Sequence, residues 1–181
     1  MIIAIAGVAG SGKSTIAHML ADRLDLPRYS VGALRGKMAI ERGITIEELN
    51  KLGEQEAFTD TEVDAYQTEL GKSGESFVID GRMSWHCIPH AFKVFLNVDR
   101  DEGARRVFSA PKEGREDEKS YSSLDELKEA LQERNASDQR RYQKYYGVDF
   151  LNLKNYDLVI DTTHKTREDI CQEILDRIPK A

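Results

Sequence analysis

Cysteine is scarce in this sequence, with Cys87 and Cys171 the two examples among 181 residues. They lie far apart, so they form neither the close spacing of a metal site nor a disulfide framework. We interpret both thiols as reduced and structural, which favours a reducing compartment.

Long apolar runs are also missing. The first apolar run, residues 2–6, is too short for a secretory signal peptide and lacks a basic flank. No run approaches the roughly 20 apolar residues that a membrane-spanning helix needs. The sequence therefore predicts a cytoplasmic protein with no membrane partner.

The sequence has no excess of positive charge. Lys and Arg number 26 against 32 Asp and Glu, so the formal net charge is -6. Since a protein whose main partner is nucleic acid usually carries a basic stripe, we expect no nucleic-acid partner. A small anionic ligand needs only a local cluster of basic side chains, which an acidic total does not forbid.

What the sequence does contain is an alternation of short apolar runs with amphipathic segments. Its length suits a single domain over residues 1–181. Strands are predicted at residues 1–6, 77–79, 94–98 and 156–160, and helices at residues 13–24, 32–42, 45–56, 60–70, 123–145 and 166–178. This alternation indicates an α/β fold, in which helices cover both faces of a parallel sheet of about five strands.

Local signals define two helix starts and one long loop. Thr45 with Glu48, and Ser123 with Glu126, have the spacing of a capping box. Residues 109–122 are polar and charged, and loops of this length in compact domains are often lids. We therefore expect a lid at about residues 109–122.

A phosphate-binding loop follows the first predicted strand. Residues 7–14 match G-x-x-x-x-G-K-[ST] at every fixed position. Glycines let backbone N–H groups approach phosphate oxygens, Lys13 supplies a charge, and Ser14 supplies a hydroxyl for Mg²⁺. The alternative, a tight glycine turn, does not require Lys and Ser at these positions. The residues predicted to bind a nucleoside triphosphate are Gly7, Val8, Ala9, Gly10, Ser11, Gly12, Lys13, Ser14 and Thr15.

Two further groups of residues could hold an acceptor. Ser30 and Arg35 lie at the start of the second predicted helix, and the sequence Asp80-Gly81-Arg82 ends the strand at 77–79. Because the carboxyl ends of parallel strands form the ligand crevice, we expect Asp80 near Mg²⁺ and Arg82 facing an acceptor phosphate. The alternatives are a solvated helix residue for Arg35, a surface turn for Arg82 and a helix cap for Asp80.

A third candidate group lies on the long helix at 123–145. Arg134, Asp138 and Arg141 recur at i, i+4 and i+7, so they share one helix face. Two arginines beside a carboxylate could clamp an anion while the Asp accepts a sugar hydroxyl. On spacing alone, an exposed ladder of salt bridges is the favoured interpretation.

Together these residues resemble the nucleoside monophosphate kinases, and most closely the short archaeal-type cytidylate kinases. The resemblance covers nearly the whole chain. The motifs that carry it are the P-loop, Ser30-x-Gly32-x-x-Arg35, the segment 60–67, Asp80-Gly-Arg82, Arg134-x-x-x-Asp138-x-x-Arg141, the segment 145–149 and the segment 156–162. The resemblance implies a P-loop three-layer α/β/α fold with an acceptor-binding helical region at about 31–72.

The same resemblance implies ATP as donor, CMP or dCMP as acceptor, and Mg²⁺. It implies that Arg35 and Arg82 hold the acceptor phosphate, and that Arg134, Asp138 and Arg141 serve the acceptor ribose and the transferring phosphoryl group. Lys13 would act with these arginines in catalysis, and Ser14 and Asp80 would hold the metal.

Some positions depart from the family pattern. Asp80 stands where relatives often have Glu, and Gly103 where relatives tend to have a lid arginine, which leaves Arg106 and Arg115 as candidates. Other acceptors, such as AMP, UMP or dephospho-coenzyme A, and a non-catalytic ATP-dependent regulatory module remain alternatives. We expect a monomer.

Overall fold

A five-stranded, wholly parallel sheet forms the centre of the molecule in the computed structural model, which describes residues 1–110 and 121–179. The strand order is β2-β3-β1-β4-β5. The strands are β1 (Ile2–Gly7), β2 (Arg28–Ser30), β3 (Phe77–Asp80), β4 (Phe92–Asn97) and β5 (Leu158–Asp161).

Helices connect the strands and cover the sheet. They are α1 (Lys13–Leu24), α2 (Val31–Glu41), α3 (Ile46–Gln55), α4 (Phe58–Gly71), α5 (Ser84–Cys87), α6 (Arg100–Ser109), α7 (Leu124–Tyr146) and α8 (Arg167–Arg177), with a short 3-10 helix at Leu153–Asn155. In the described parts of the chain, none of these helices has the length and apolar character to cross a membrane.

Apolar side chains on both faces of β1 divide the core into layers. Ile3 and Ile5 pack with residues of α1 and α8, among them Leu20 and Ile174. Ile2 and Ala4 point to the other face, where they pack in a second cluster. All six residues of β1 are buried, as expected for a central parallel strand. The predicted three-layer α/β/α architecture is confirmed.

The predicted elements agree with the structure, with local differences. The capping box at Thr45 and Glu48 is present. At the start of α7, Ser123 accepts from the Glu126 N–H, but the Glu126 carboxylate accepts from Ser122 instead of completing the box. The strand β2 is not among the predicted strands, because its three residues form no apolar run.

Other element boundaries differ from the predicted ones by a few residues. β4 starts at Phe92 instead of 94, and β5 starts at Leu158 instead of 156. Three helices, α2, α3 and α4, occupy the helical region predicted at 31–72. Residues 111–120 of the expected lid, including Arg115, lie outside the described residues.

Candidate active site

The phosphate loop lies between β1 and α1 and owes its shape to glycine. Gly7 has φ of 149°, and a Cβ there would lie 2.2 Å from the carbonyl oxygen of Leu96. Gly12, the N-cap of α1, has φ of 88° in open space. Gly7 is therefore required by the close approach of the Leu96 carbonyl, and Gly12 is required by its left-handed backbone conformation. Both leave the N-terminus of α1 open to an anion.

A second helix, α6, packs directly against the tip of this loop. A Cβ on Gly10 would lie 2.5 Å from the carbonyl oxygen of Gly103, and a Cβ on Gly103 would lie 3.3 Å from the carbonyl oxygen of Ala9. Position 103 is thus a packing surface for the loop. A Cβ at this position would require Val98 or the loop to shift by a few tenths of an ångström, so Gly103 lets α6 approach the loop closely.

Lys13 lies within a concentration of positive charge. Its Nζ donates to the carbonyl oxygen of Val8 at 2.8 Å. Burial, followed by the charges of Arg82 and Arg134, lowers the pKa of Lys13 well below its ordinary value, while Asp80 opposes this shift. Three cations close enough to affect one another make a strong site for a polyanion.

Asp80, at the end of β3, joins the loop to the neighbouring strand. Its Oδ2 accepts from the Ser14 hydroxyl at 2.9 Å and from the Ser30 hydroxyl at 3.0 Å. Its Oδ1 is buried and accepts no hydrogen bond from the described residues, although Arg28 Nε lies 3.9 Å away. The structure thus brings together both predicted metal ligands, Ser14 and Asp80.

These donors fit a magnesium ion that is held mainly by its nucleotide. Mg²⁺ in phosphoryl-transfer sites takes one or two protein oxygens and completes its shell with phosphates and water. The Ser14 hydroxyl and Asp80 Oδ1, which accepts no hydrogen bond from the described residues, could supply that small protein share. The described residues contain no group of three or more His, Cys, Asp or Glu arranged to hold a metal.

Arg82 follows Asp80 by two residues and points toward α7. Its Nη1 contacts Asp138, and its Nη2 donates to the amide oxygen of Asn135 at 2.8 Å. Its Nε is buried and donates to none of the described residues. Burial, followed by the charge of Arg134, lowers the pKa of Arg82 to about 9, so the side chain remains a cation near neutral pH.

Arg141 lies at the centre of a buried charge network. Its Nε donates to Asp60 Oδ2 at 2.8 Å, its Nη2 to Asp138 Oδ1 at 2.5 Å, and its Nη1 to Ser137 at 3.0 Å. The side chain of Arg141 is 0% exposed and that of Asp138 is 4% exposed. An exposed ladder of salt bridges is therefore wrong for Asp138 and Arg141, because both side chains are buried.

Arg35 joins the same network from the other side of Asp60. Its Nη1 donates to Asp60 Oδ1 at 2.8 Å and to the carbonyl oxygen of Thr59, while its Nη2 donates to Asn50 at 3.0 Å. Two arginines from α2 and α7 thus share one carboxylate on α4. Arg35 holds the helices together in this arrangement, and its contact with an acceptor phosphate remains a prediction.

Arg134 and Arg106 are the remaining predicted arginines within the described residues. Arg134 is half-buried, and its charge affects the pKa of both Lys13 and Arg82. Its guanidinium therefore lies near these two side chains. Arg106 donates to the carbonyl oxygens of Thr162 and Thr163, so it holds the segment that follows β5.

Sequence reasoning did not single out three polar residues of this network: Asn50, Asp60 and Asn135. Asp60 belongs to a family motif, but its position under two arginines depends on the packing of α2, α4 and α7. No local pattern around Asn135 indicates its contacts with Arg82 and the phosphate loop.

A second polar group surrounds Asp64, one helical turn beyond Asp60. Asp64 accepts from the Tyr146 hydroxyl at 2.6 Å and from Gln67 at 2.7 Å, and it lines a cavity of about 530 Å³ between α4, α5 and the end of α7. Burial raises the pKa of Asp64 to about 6, although the Tyr146 hydrogen bond opposes that shift.

The sheet order, the glycine loop after β1 and the acidic residue that ends β3 define an ATP-dependent phosphotransferase of the P-loop kinase fold. Shikimate kinase from Bacteroides thetaiotaomicron has this fold, with a TM-score of 0.63, 17% identity and 97% of each chain covered. Residues 2–164 match the model of the cytidylate kinase-like family, and the chain belongs to that family.

Two relatives differ in how much of their own length this chain covers. The cytidylate kinase of Methanobrevibacter smithii is 33% identical over 97% of this chain and 96% of its own length. An S-adenosylmethionine-dependent nucleotide dehydratase of Lacinutrix mariniflava is 35% identical over 99% of this chain, which spans 36% of that protein. The chain is therefore similar to one segment of a much longer relative.

Proposed function

We propose that this protein transfers the γ-phosphoryl group of ATP to CMP or dCMP, giving CDP or dCDP and ADP. One observation carries the proposal. At the end of β3, Asp80 presents a buried oxygen without a hydrogen-bond donor and Arg82 presents a buried N–H without an acceptor, both judged against the described residues. The first atom suits a cation and the second suits an anion, which are the partners that an ATP-dependent kinase brings together.

In this mechanism, the phosphate loop and the N-terminus of α1 hold the ATP phosphates. Lys13 and Arg134 neutralise charge on the transferring group. The two side chains lie close together, because the charge of Arg134 adds to burial and to Arg82 in lowering the pKa of Lys13. Ser14 and Asp80 would hold Mg²⁺, which would supply positive charge against the charge that develops on the phosphates.

The acceptor side completes the alignment. Arg82, with Gly81 at its turn, holds the acceptor phosphate, while Ser30 and Arg35 define the entrance from α2. Asp138 and Arg134 take the ribose, and Arg141 fixes Asp138 from beneath. An acceptor phosphate is already ionised near neutral pH, so the reaction needs no strong general base. Residues 31–72 form the acceptor region and residues 109–122 the lid in this proposal.

The choice of cytidylate as acceptor is supported by relatives that carry that name across nearly their whole length. The M. smithii protein is one example, at 96% coverage of its own chain. The dehydratase relative does not alter the proposal, because this chain matches 36% of it. We assign no dehydratase activity to this chain.

The test is ADP release from ATP and Mg²⁺ in the presence of CMP, dCMP, UMP, AMP, GMP or dephospho-coenzyme A, with a reaction without acceptor as background. Strong stimulation by CMP or dCMP alone is the expected result. Stimulation by another acceptor would keep the kinase and overturn the base assignment. Tight ATP binding without any stimulation would favour a regulatory module.

A further inference from the structure

Asn135 on α7 lies at the junction between the phosphate loop and Arg82. Its single amide oxygen accepts from Arg82 Nη2 at 2.8 Å and from the backbone N–H of Ala9 at 3.4 Å. A carbonyl oxygen has two lone pairs and can accept both bonds, and two donors fix the orientation of the amide. One atom therefore joins the loop that binds ATP to the arginine that follows β3.

The connection continues away from the loop through α7. Asn135 and Asp138 lie three residues apart on one helix face, and each holds one Nη of Arg82. Asp138 is held in turn by Arg141, which donates to Asp60 on α4. Arg82 is thus fixed at two points of α7, and of these two contacts Asn135 alone also reaches the loop.

A neutral amide suits this position better than a charged group. A basic side chain could not accept from Arg82, and a carboxylate would add negative charge beside the phosphates of ATP. Asn is also a weak helix former, so helix propensity does not explain its place within the 23-residue helix α7.

We propose that Asn135 is a positioning residue for phosphoryl transfer, which sets the distance between Arg82 and the phosphate loop so that donor and acceptor phosphates lie in line. The proposal rests on the proposed function, because it assumes that Arg82 holds the acceptor phosphate. Asn135 need not touch the reacting atoms, since it acts through Arg82.

Two substitutions separate alignment from folding. N135L keeps the size of the side chain and removes the acceptor oxygen, whereas N135D keeps an oxygen at the same reach. Q143L, at an exposed position of the same helix, is the matched control. For each protein we would measure kcat and KM for CMP, the ratio of CDP formed to ATP hydrolysed, affinity for a fluorescent ATP analogue, and the melting temperature.

The expected result for N135L is a loss of about tenfold to hundredfold in kcat/KM for CMP, because small misplacement of reacting groups is costly. Its ratio of transfer to hydrolysis should also fall, while ATP affinity and melting temperature stay close to those of the Q143L control. N135D should recover part of the transfer, which a purely structural role would not explain.

Two results would count against the inference in different ways. If the wild-type protein responds to CMP and N135L transfers as well as Q143L, the role of Asn135 is wrong and the proposed function stands. If the wild-type protein responds to no acceptor, the proposed function fails and the inference fails with it. Should N135L not fold, equal transfer by N135D and an N135A variant, which has no side-chain oxygen, would overturn the role of the oxygen.

Discussion

The phosphate loop keeps its shape through backbone geometry at glycine. The proposed acceptor side, which includes Arg35, Asp60, Asp138 and Arg141, keeps its shape through paired and buried charges. On the loop, Lys13 donates to a backbone carbonyl, and burial followed by the charges of neighbouring arginines depresses its pKa. On the acceptor side, the charges of Arg141 and Asp60 compensate each other. The loop therefore concentrates positive charge that an anionic ligand would stabilise, while the charges of the proposed acceptor side are paired within the protein.

The largest effect on activity is expected for K13A in the phosphate loop. Loss of one preorganised charge should cost about 3–4 kcal/mol of transition-state stabilisation, a fall in kcat/KM of roughly hundredfold to thousandfold. Because burial and neighbouring cations depress the pKa of Lys13, the free energy of unfolding should not fall. Steady-state kinetics and urea unfolding check both parts, with the exposed K37A as control. Full activity in K13A would refute its role.

R141M, on the proposed acceptor side, should instead lower the free energy of unfolding. It leaves Asp60 and Asp138 without their shared partner, and breaking a buried pair costs about 3–5 kcal/mol. R140M is the matched control, since Arg140 is 50% exposed and pairs with Glu54 on the surface. Removal of such a surface pair should cost about 0–1 kcal/mol. Equal unfolding free energies for the two variants would contradict the buried network.

The third prediction concerns Asp64, which has no cationic hydrogen-bond partner among those described for it and which should make the free energy of unfolding depend on pH. Its pKa is raised from an ordinary 3.8 to about 6, so the unfolded chain releases this proton at lower pH than the folded protein does. A tenfold difference in proton affinity corresponds to roughly 1.4 kcal/mol. The wild-type protein should therefore lose up to about 3 kcal/mol of unfolding free energy from this group as pH rises from about 4 to about 7.

The D64N variant removes that contribution. The difference in unfolding free energy between D64N and wild type should shift in favour of D64N across this pH range, whatever the other carboxylates do. Urea unfolding at several pH values measures it. A difference that does not change with pH would show that Asp64 keeps an ordinary pKa in the folded protein.

The comparison between the two sides also explains what the sequence could predict. The phosphate loop is a continuous motif, and each of its fixed residues has a local reason, such as the left-handed backbone at Gly12. The sheet strands were visible as apolar runs because central parallel strands are buried on both faces. The β2 strand lacks such a run, and for that reason it was not predicted.

The acceptor side could be predicted only in part, because long-range packing decides it. The spacing of Arg134, Asp138 and Arg141 identified a shared helix face, but not that α3 and α4 would bury Arg141. Asp60 and Asn135 are distant in sequence from the arginines on α2 and after β3 that they bind. Nothing in the local pattern of α7 indicates these partners.

The most direct test of the central claim follows the labelled γ-phosphate of ATP in the wild-type protein and in R82M. The account predicts that label enters CDP in the wild-type reaction, and that R82M binds ATP normally but transfers little label to CMP. Transfer by R82M at the wild-type rate, or label appearing only as inorganic phosphate in the wild-type reaction, would contradict it.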